Sequence, residues 1–549
     1  MYDPDQPYSS KRSPVAARNI VATSQPLAVQ SGLFALRKGG NAVDAALAAA
    51  ITLTVVEPNN NGIGSDAFCI LWDGEELVGL NASGRSPAGW DSGRFSGMQR
   101  MPDLGWDSVT VPGAVSGWVA LSDRYGNLPF EELFADAIHY AETGFLVGPK
   151  TAFYWRLLEN RYQEFDDFKE HFFPPPRAGD IFYRPDLAVT LREIAETRGE
   201  SFYRGRLASK IADCSASAGG CLSLGDLDKH SCDWVEPIGK DFKGTRLHEM
   251  PPNGQGLAAQ IALGILNHLP EQDLDSLEET HQQIEAMKIA TACAAAHISD
   301  ADTMKIGVDE LLDEAFLEKS AKRIGPNAMS LPPVTLPSSP DTVYLATADE
   351  GGMMVSFIQS NFHAFGSGIV VPGTGIAMQN RGSGFVLDEN HANCVGPSKR
   401  PFHTIIPGFV SEDGCPRMAF GVMGGHMQHQ GHVQMVKRVF EFGQNPQAAI
   451  DAPRWHVYPD FTIGLESGFD QSIASQLVDC GDWADHDEFG LLQQTEINPQ
   501  WVRGSRDRSH TVKSPERYQT FSRVCGSIQD ELSAILGSSV GHNHRLDRR

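Results

Sequence analysis

From residue 19 onward, apolar runs of strand length alternate with longer stretches at helical spacing. Asn19-Ile20-Val21-Ala22 predicts a short strand. The stretch NAVDAALAAAITLTVV, residues 41–56, is apolar nearly all round and predicts a core helix. Glu57-Pro58 breaks it, and the glycine-bearing turn 59–66 leads into a strand, Ala67–Trp72, that closes on a hairpin-like Asp73-Gly74. Gly62-Ile63-Gly64 within that turn lacks a third glycine, and the order of elements is wrong for a dinucleotide loop. Between about 115 and 330, helical periodicity alternates with Pro and Gly, predicting helices around Glu132–Glu142 and over Thr280–Ala296. No internal repeat or low-complexity segment interrupts the pattern.

The clearest boundary is Leu331–Asp341, LPPVTLPSSPD. Its four prolines remove backbone donors and fix φ, so it reads as an exposed connector. Two β-rich runs follow, Thr342–Ala348 and Met353–Ile358, around the turn Asp349-Glu350-Gly351-Gly352. The connector is either a linker or a self-cleaving junction with Thr342 at the head of a new strand.

Composition narrows the class. With 549 residues, 41% apolar and 21% charged, the chain can bury a large core. A net charge of −24 repels nucleic acid and anionic lipid, so neither is an expected partner. Basic residues gather only near the end, at Arg503, Arg506, Arg508, Arg517, Arg523, Arg545, Arg548 and Arg549, which reads as a solvated tail. Nine cysteines without a C-x-x-C pair argue for reduced thiols. The first residues lack the apolar core of a secretory signal, and Ala45–Val56 is too short to span a bilayer. A soluble cytoplasmic enzyme is expected.

Candidate chemistry comes from many ordered segments taken together. They are LRKGGNAVDAALAAA (36–50), VVEPNNNGIGSDAF (55–68), VTVPGAVSGW (109–118), EMPPNGQGLAA (249–259) and DTVYLATAD (341–349). FGSGIVVPGTGIAMQNR (365–381), GPSKRPFHTIIPGF (396–409), VMGGHMQHQGH (422–432) and DAPRW (451–455) complete the set. Across about residues 15–510 the chain resembles the gamma-glutamyltransferase family of N-terminal-nucleophile hydrolases. The D-T-V-Y run brings it nearest the subset resembling cephalosporin acylases. The resemblance implies an α/β (α+β) fold, a four-layer αββα sandwich. It also implies self-cleavage between Asp341 and Thr342, giving segments 1–341 and 342–549 that stay associated as one interlocked domain. Residues 511–549 lie beyond it.

A threonine hydroxyl is a weak nucleophile and needs a neighbouring base. Once Thr342 becomes a chain terminus its own α-amine, pKa ~7.7–8, supplies one near working pH. By resemblance, Ser360 hydrogen-bonds that nucleophile, and Gly424-Gly425 give the backbone N–H groups of the oxyanion hole. The expected reaction is hydrolysis or transfer of an amide-bound acyl group, with an acceptor amine or dipeptide as second partner and no cofactor.

The acyl pocket departs from the family. Gly384 stands where an acidic residue holds an α-amine, and Arg381 where a glutamine is usual. His403-Thr404 replace the serine pair that binds the α-carboxylate, and Arg85 lies near the large-segment arginine motif. These changes predict gamma-glutamyl or related amides, with preference for a glutaryl-type acyl group lacking a free α-amine. Two alternatives stay open. His426, His429 and His432 have a spacing that a zinc site could use, against packing at a helix start. The whole chain could also be a catalytically inactive homologue acting as a scaffold. A serine-hydrolase elbow, G-x-S-x-G, does not occur.

Overall fold

The computed structural model describes residues 14–336, 342–466, 468–481 and 500–503. Asp341, Cys525 and the tail from 504 therefore lie outside the described residues.

Two antiparallel sheets form the centre. The first contains β1 (Ile20–Thr23), β2 (Asp66–Trp72), β3 (Leu77–Ala82), β4 (Asp233–Val235), β7 (Val343–Ala348) and β8 (Met354–Ser360), ordered β1-β7-β8-β2-β3-β4. The second contains β5 (Ile238–Phe242), β6 (Thr245–Glu249), β9 (Gly408–Glu412), β10 (Cys415–Gly421) and β11 (Gln500–Arg503), ordered β11-β10-β9-β6-β5. Both sheets combine strands from before and after residue 342. The two segments are thus hydrogen-bonded together along β1–β7, β2–β8 and β6–β9.

The sheets pack face to face. A Cβ on Gly421 in β10 would fall 2.3 Å from the Tyr344 ring of β7, so glycine is what lets the faces approach. The residues of β7 and β8 are buried throughout, as central strands of a two-sheet sandwich require.

Helices cover the outer faces. On the first sheet lie α1 (Pro26–Arg37) and α2 (Ala42–Val56), the core helix the apolar run predicts, with all its residues buried. Asn41 caps α2, accepting from the N–H groups of Val43 and Asp44 at 2.9 and 3.1 Å, while Asp44 accepts from Asn41 N–H at 2.9 Å. On the second sheet lie α3 (Gly256–Leu266) and α5 (Met427–Val436), with α4 (Leu277–His297) packed against α3. The result is the expected αββα layering.

Sequence expectation and structure differ locally. The segment Glu132–Glu142 divides into a 3-10 turn, Phe130–Phe134, and a helix, Ala135–Thr143. The helix expected over Thr280–Ala296 runs from Leu277 to His297 because Ser276 caps it three residues earlier. Helix α1 carries no clear apolar signal, since Gln30, Ser31 and Gly32 interrupt its pattern. Among the described residues, no helix is long and apolar enough to cross a membrane.

Candidate active site

Thr342 immediately precedes β7, and Ser360 ends β8. The β7–β8 register pairs Gln359 with Val343, which sets Thr342 opposite Ser360 at the open end of the hairpin. Both are buried, Thr342 at 2% exposure, and the Thr342 hydroxyl points at Ser360 Oγ over a long 3.5 Å. Ser360 Oγ also accepts the Phe362 N–H at 2.8 Å, which fixes the serine rotamer facing Thr342.

The turn 59–66 holds this end of the hairpin. Asn60 O accepts the Asn361 N–H at 3.3 Å, Asn59 O accepts that of Phe365 at 2.8 Å, and Gly64 O accepts that of Gln379 at 3.1 Å. Gly64 lies against backbone: a Cβ there would meet Ala377 O at 2.3 Å. The glycine-bearing turn therefore serves as the seat for the segments carrying Ser360 and Arg381.

Asp66 begins β2 directly across from Ser360. Its Oδ1 accepts the N–H groups of Gly113 and Gly84 at 3.0 and 3.2 Å, and its Oδ2 lies 3.3 Å from His403 Nε2. His403 Nδ1 accepts the Ile405 N–H at 3.4 Å, so Nε2 carries the imidazole proton and donates to Asp66. Burial holds His403 well below the ordinary histidine range, with Arg381 and Arg400 adding to the effect. Burial also pushes Asp66 up to about 7, against the opposing pull of Arg381.

Arg381 is 1% exposed. Its Nη1 donates to Thr404 Oγ1 at 2.9 Å and its guanidinium lies 4.6 Å from the centre of the Phe362 ring, while Nε and Nη2 have no hydrogen-bond partner among the described residues. Burial lowers its pKa to about 9, Asp66 being the charge that supports it. A buried guanidinium with two open donors is costly unless an anion completes it.

Gly424 and Gly425 sit between β10 and α5 with φ of 112° and 57°, a left-handed conformation suited to glycine. Gly424 O accepts the Met427 N–H at 3.0 Å, which directs the Gly425 N–H of the same peptide the opposite way. Gln255, wholly buried, clamps this loop. Its Nε2 donates to Gly425 O at 2.8 Å and to Thr404 O at 2.5 Å; its Oε1 accepts from His426 Nδ1 at 3.2 Å and His429 Nδ1 at 3.1 Å. A contiguous path thus runs from Thr342 through Ser360, Asp66, His403, Thr404 and Gln255 to the glycine pair.

Other expected residues lie apart from this path. Arg85 donates to Asp300 Oδ2 at 2.8 Å and Ser398 O at 3.3 Å, so its guanidinium is spent on bracing the segment before Arg400. The three histidines do not converge. A helix turns 100° per residue, so steps of three drift around the axis, and His432 faces Glu249 at 2.6 Å instead of Gln255. Among the described residues, no group of His, Cys, Asp or Glu could hold a metal ion. An open cleft of about 510 Å3 runs past Phe362, Ser383 and Gly384 to Thr335 and Leu336 at the connector. Asp66 and Gln255 were not singled out by sequence reasoning. Their only signal is a polar residue inside the segments VVEPNNNGIGSDAF and EMPPNGQGLAA.

The family model for gamma-glutamyltranspeptidase matches residues 28–514. The chain belongs to this family. Like its relatives it is an enzyme, of the amidohydrolase and acyltransferase kind. It is 36% identical to an oxamate amidohydrolase proenzyme of Klebsiella pneumoniae, over 81% of this chain and 86% of that one. A glutathione hydrolase-like proenzyme of Bacillus subtilis is 34% identical over the same shares, 81% and 86%. Among solved structures, a cephalosporin acylase from Bacillus halodurans superposes with a TM-score of 0.89 at 44% identity, covering 95% of this chain and 97% of that one.

Proposed function

We propose that the chain cuts itself between Asp341 and Thr342 and then hydrolyses carboxylate-bearing acyl amides through an ester on Thr342. In the first step the Thr342 hydroxyl attacks the Asp341 carbonyl carbon. The peptide nitrogen leaves with a proton as the Thr342 α-amine, and water opens the resulting ester to give segments 1–341 and 342–549. The strands shared between the two segments keep them together as one domain.

In turnover the free α-amine takes the hydroxyl proton as the oxygen attacks the substrate carbonyl. Negative charge builds on the carbonyl oxygen, where the N–H groups of Gly424 and Gly425 receive it. The C–N bond breaks, the leaving amine takes the proton, and the acyl group remains on Thr342. Water releases the acid; an amine in its place gives transfer. Ser360, opposite Thr342 and held by the Phe362 N–H, keeps the hydroxyl aligned.

The observation that carries the substrate reading is Arg381, buried, with Nε and Nη2 unpartnered. Two open donors of one guanidinium match a carboxylate. Ser383 and Gly384 offer no acid for an α-ammonium; Asp66 is committed to two backbone N–H groups and His403, and Asp103, which lines the same cleft, is paired with Arg161. The oxamate named for the Klebsiella relative is itself a carboxylate amide without an α-amine. Glutaryl p-nitroanilide should therefore exceed γ-glutamyl p-nitroanilide in kcat/KM by about tenfold or more, the worth of one charge-assisted contact. Faster turnover of the γ-glutamyl anilide or of glutathione would contradict this reading.

A further inference from the structure

Counting the charges around Arg381 exposes a problem that substrate binding must solve. Arg381 and Asp66 are a buried cation and a buried anion, so together they leave this region close to neutral. A second cation, Arg400, is already paired, its Nη1 donating to Asp233 Oδ2 at 2.5 Å and its Nε to Ser83 O at 3.0 Å. Tyr203, the other titratable group facing Asp66, keeps its proton and donates to Pro112 O at 2.8 Å. A substrate carboxylate docked on Nε and Nη2 of Arg381 would place a second anion on the guanidinium whose charge supports buried Asp66. Two like charges so placed do not both stay ionised.

Resting on the reading of Arg381 as the carboxylate site, we propose that Asp66, with His403, sets specificity for anionic acyl groups by taking up one proton as the substrate carboxylate docks. The geometry suits this role. Asp66 Oδ1 is saturated by the Gly84 and Gly113 N–H groups, whereas Oδ2 meets only the His403 Nε2–H, a longer contact at 3.3 Å. Protonated on Oδ2, Asp66 can donate to His403 in the other tautomer, which gives up the long 3.4 Å bond from the Ile405 N–H to Nδ1 and lets the proton enter without a new charge. The same logic explains why His403 stands here. An imidazole can present either a donor or an acceptor to Asp66, which a hydroxyl pair would do without fixing the carboxylate.

The direction of the pH dependence follows. Free Asp66 is held up to about 7 by burial. Above that pH it is ionised in the empty pocket and protonated in the filled one, so binding takes up a proton and weakens as pH rises, by up to about tenfold per unit. Below about 6 it is protonated in both states and the dependence disappears.

Pentanoate, a monocarboxylate with no second charge to disturb Thr342, is the probe. Titration calorimetry at about pH 8 in two buffers of different ionisation enthalpy counts the protons. The expected result is close to one proton taken up per pentanoate in the wild type and none in Asp66→Asn. Binding without proton uptake, or uptake that persists in Asp66→Asn, overturns the proposal and leaves the role of Arg381 standing. Pentanoate affinity unchanged in Arg381→Met overturns the carboxylate site itself and the proposal with it. If Asp66→Asn does not fold, the wild-type proton count and the pH dependence of its affinity decide alone.

Discussion

At the scale of single residues, the site consists of groups whose hydrogen-bonding capacity is either filled or conspicuously open. Arg381 is open; Gln255 is filled. Each of four hydrogen bonds from the Gln255 side chain ties a different part of the site, Thr404, Gly425, His426 and His429, to one amide. Gln255→Met keeps the length and removes both donors and the acceptor. It would strand two buried carbonyls and two imidazole N–H groups, a loss of about 2–4 kcal/mol after partial relaxation. We expect a lower melting temperature and kcat reduced about tenfold or more, with KM changed less, because the loop proposed to hold the oxyanion loses its clamp. A fall in stability with kcat preserved would show that Gln255 only holds the fold. Residues of this kind were not legible in the sequence. Gln255 meets Gly425 across 170 positions and Asp66 meets His403 across 337, and no local pattern encodes a contact at that range. Thr342, Gly424 and Gly425 were legible as candidates because each sits inside a recognisable ordered segment, and Ser360 through the family resemblance alone.

At the scale of elements, the β7–β8 hairpin and the turn 59–66 together make the seat of Thr342, the proposed nucleophile. The hairpin was readable from two β-rich runs around a glycine turn. Its burial on both faces was not, since a continuous apolar run fits a core strand or a helix segment equally. The glycines of the turn separate by what surrounds them. A Cβ at Gly64 would lie 2.3 Å from Ala377 O, whereas at Gly62 the nearest atom is the Asn361 side chain at 3.5 Å. Gly64→Ala should therefore lower stability by about 2–4 kcal/mol and activity with it, while Gly62→Ala stays within about 0.5 kcal/mol. Thermal denaturation of the two variants side by side checks this, and equal melting temperatures would contradict it. The histidine run shows the opposite lesson: its spacing suggests one face, but the helical drift sends His432 to Glu249 and leaves His426 and His429 on Gln255.

At the scale of the whole molecule, the two sheets are built from strands on both sides of Thr342, so a cut at that point would not separate the halves. The αββα layering was anticipated through the family resemblance; composition and periodicity alone reached no further than a large mixed α/β enzyme. What the layering accomplishes is to bring the end of one sheet, with Thr342, Ser360 and Asp66, against the loop that leaves the other at Gly424-Gly425. The account stands or falls on whether Thr342 cuts the chain. The intact mass of the purified protein, wild type beside Thr342→Ala, measures this directly. The account predicts two masses for the wild type, those of residues 1–341 and 342–549, and one uncut mass of 549 residues for the variant. A wild type that stays whole, or a variant that is cut at the same place, would contradict it.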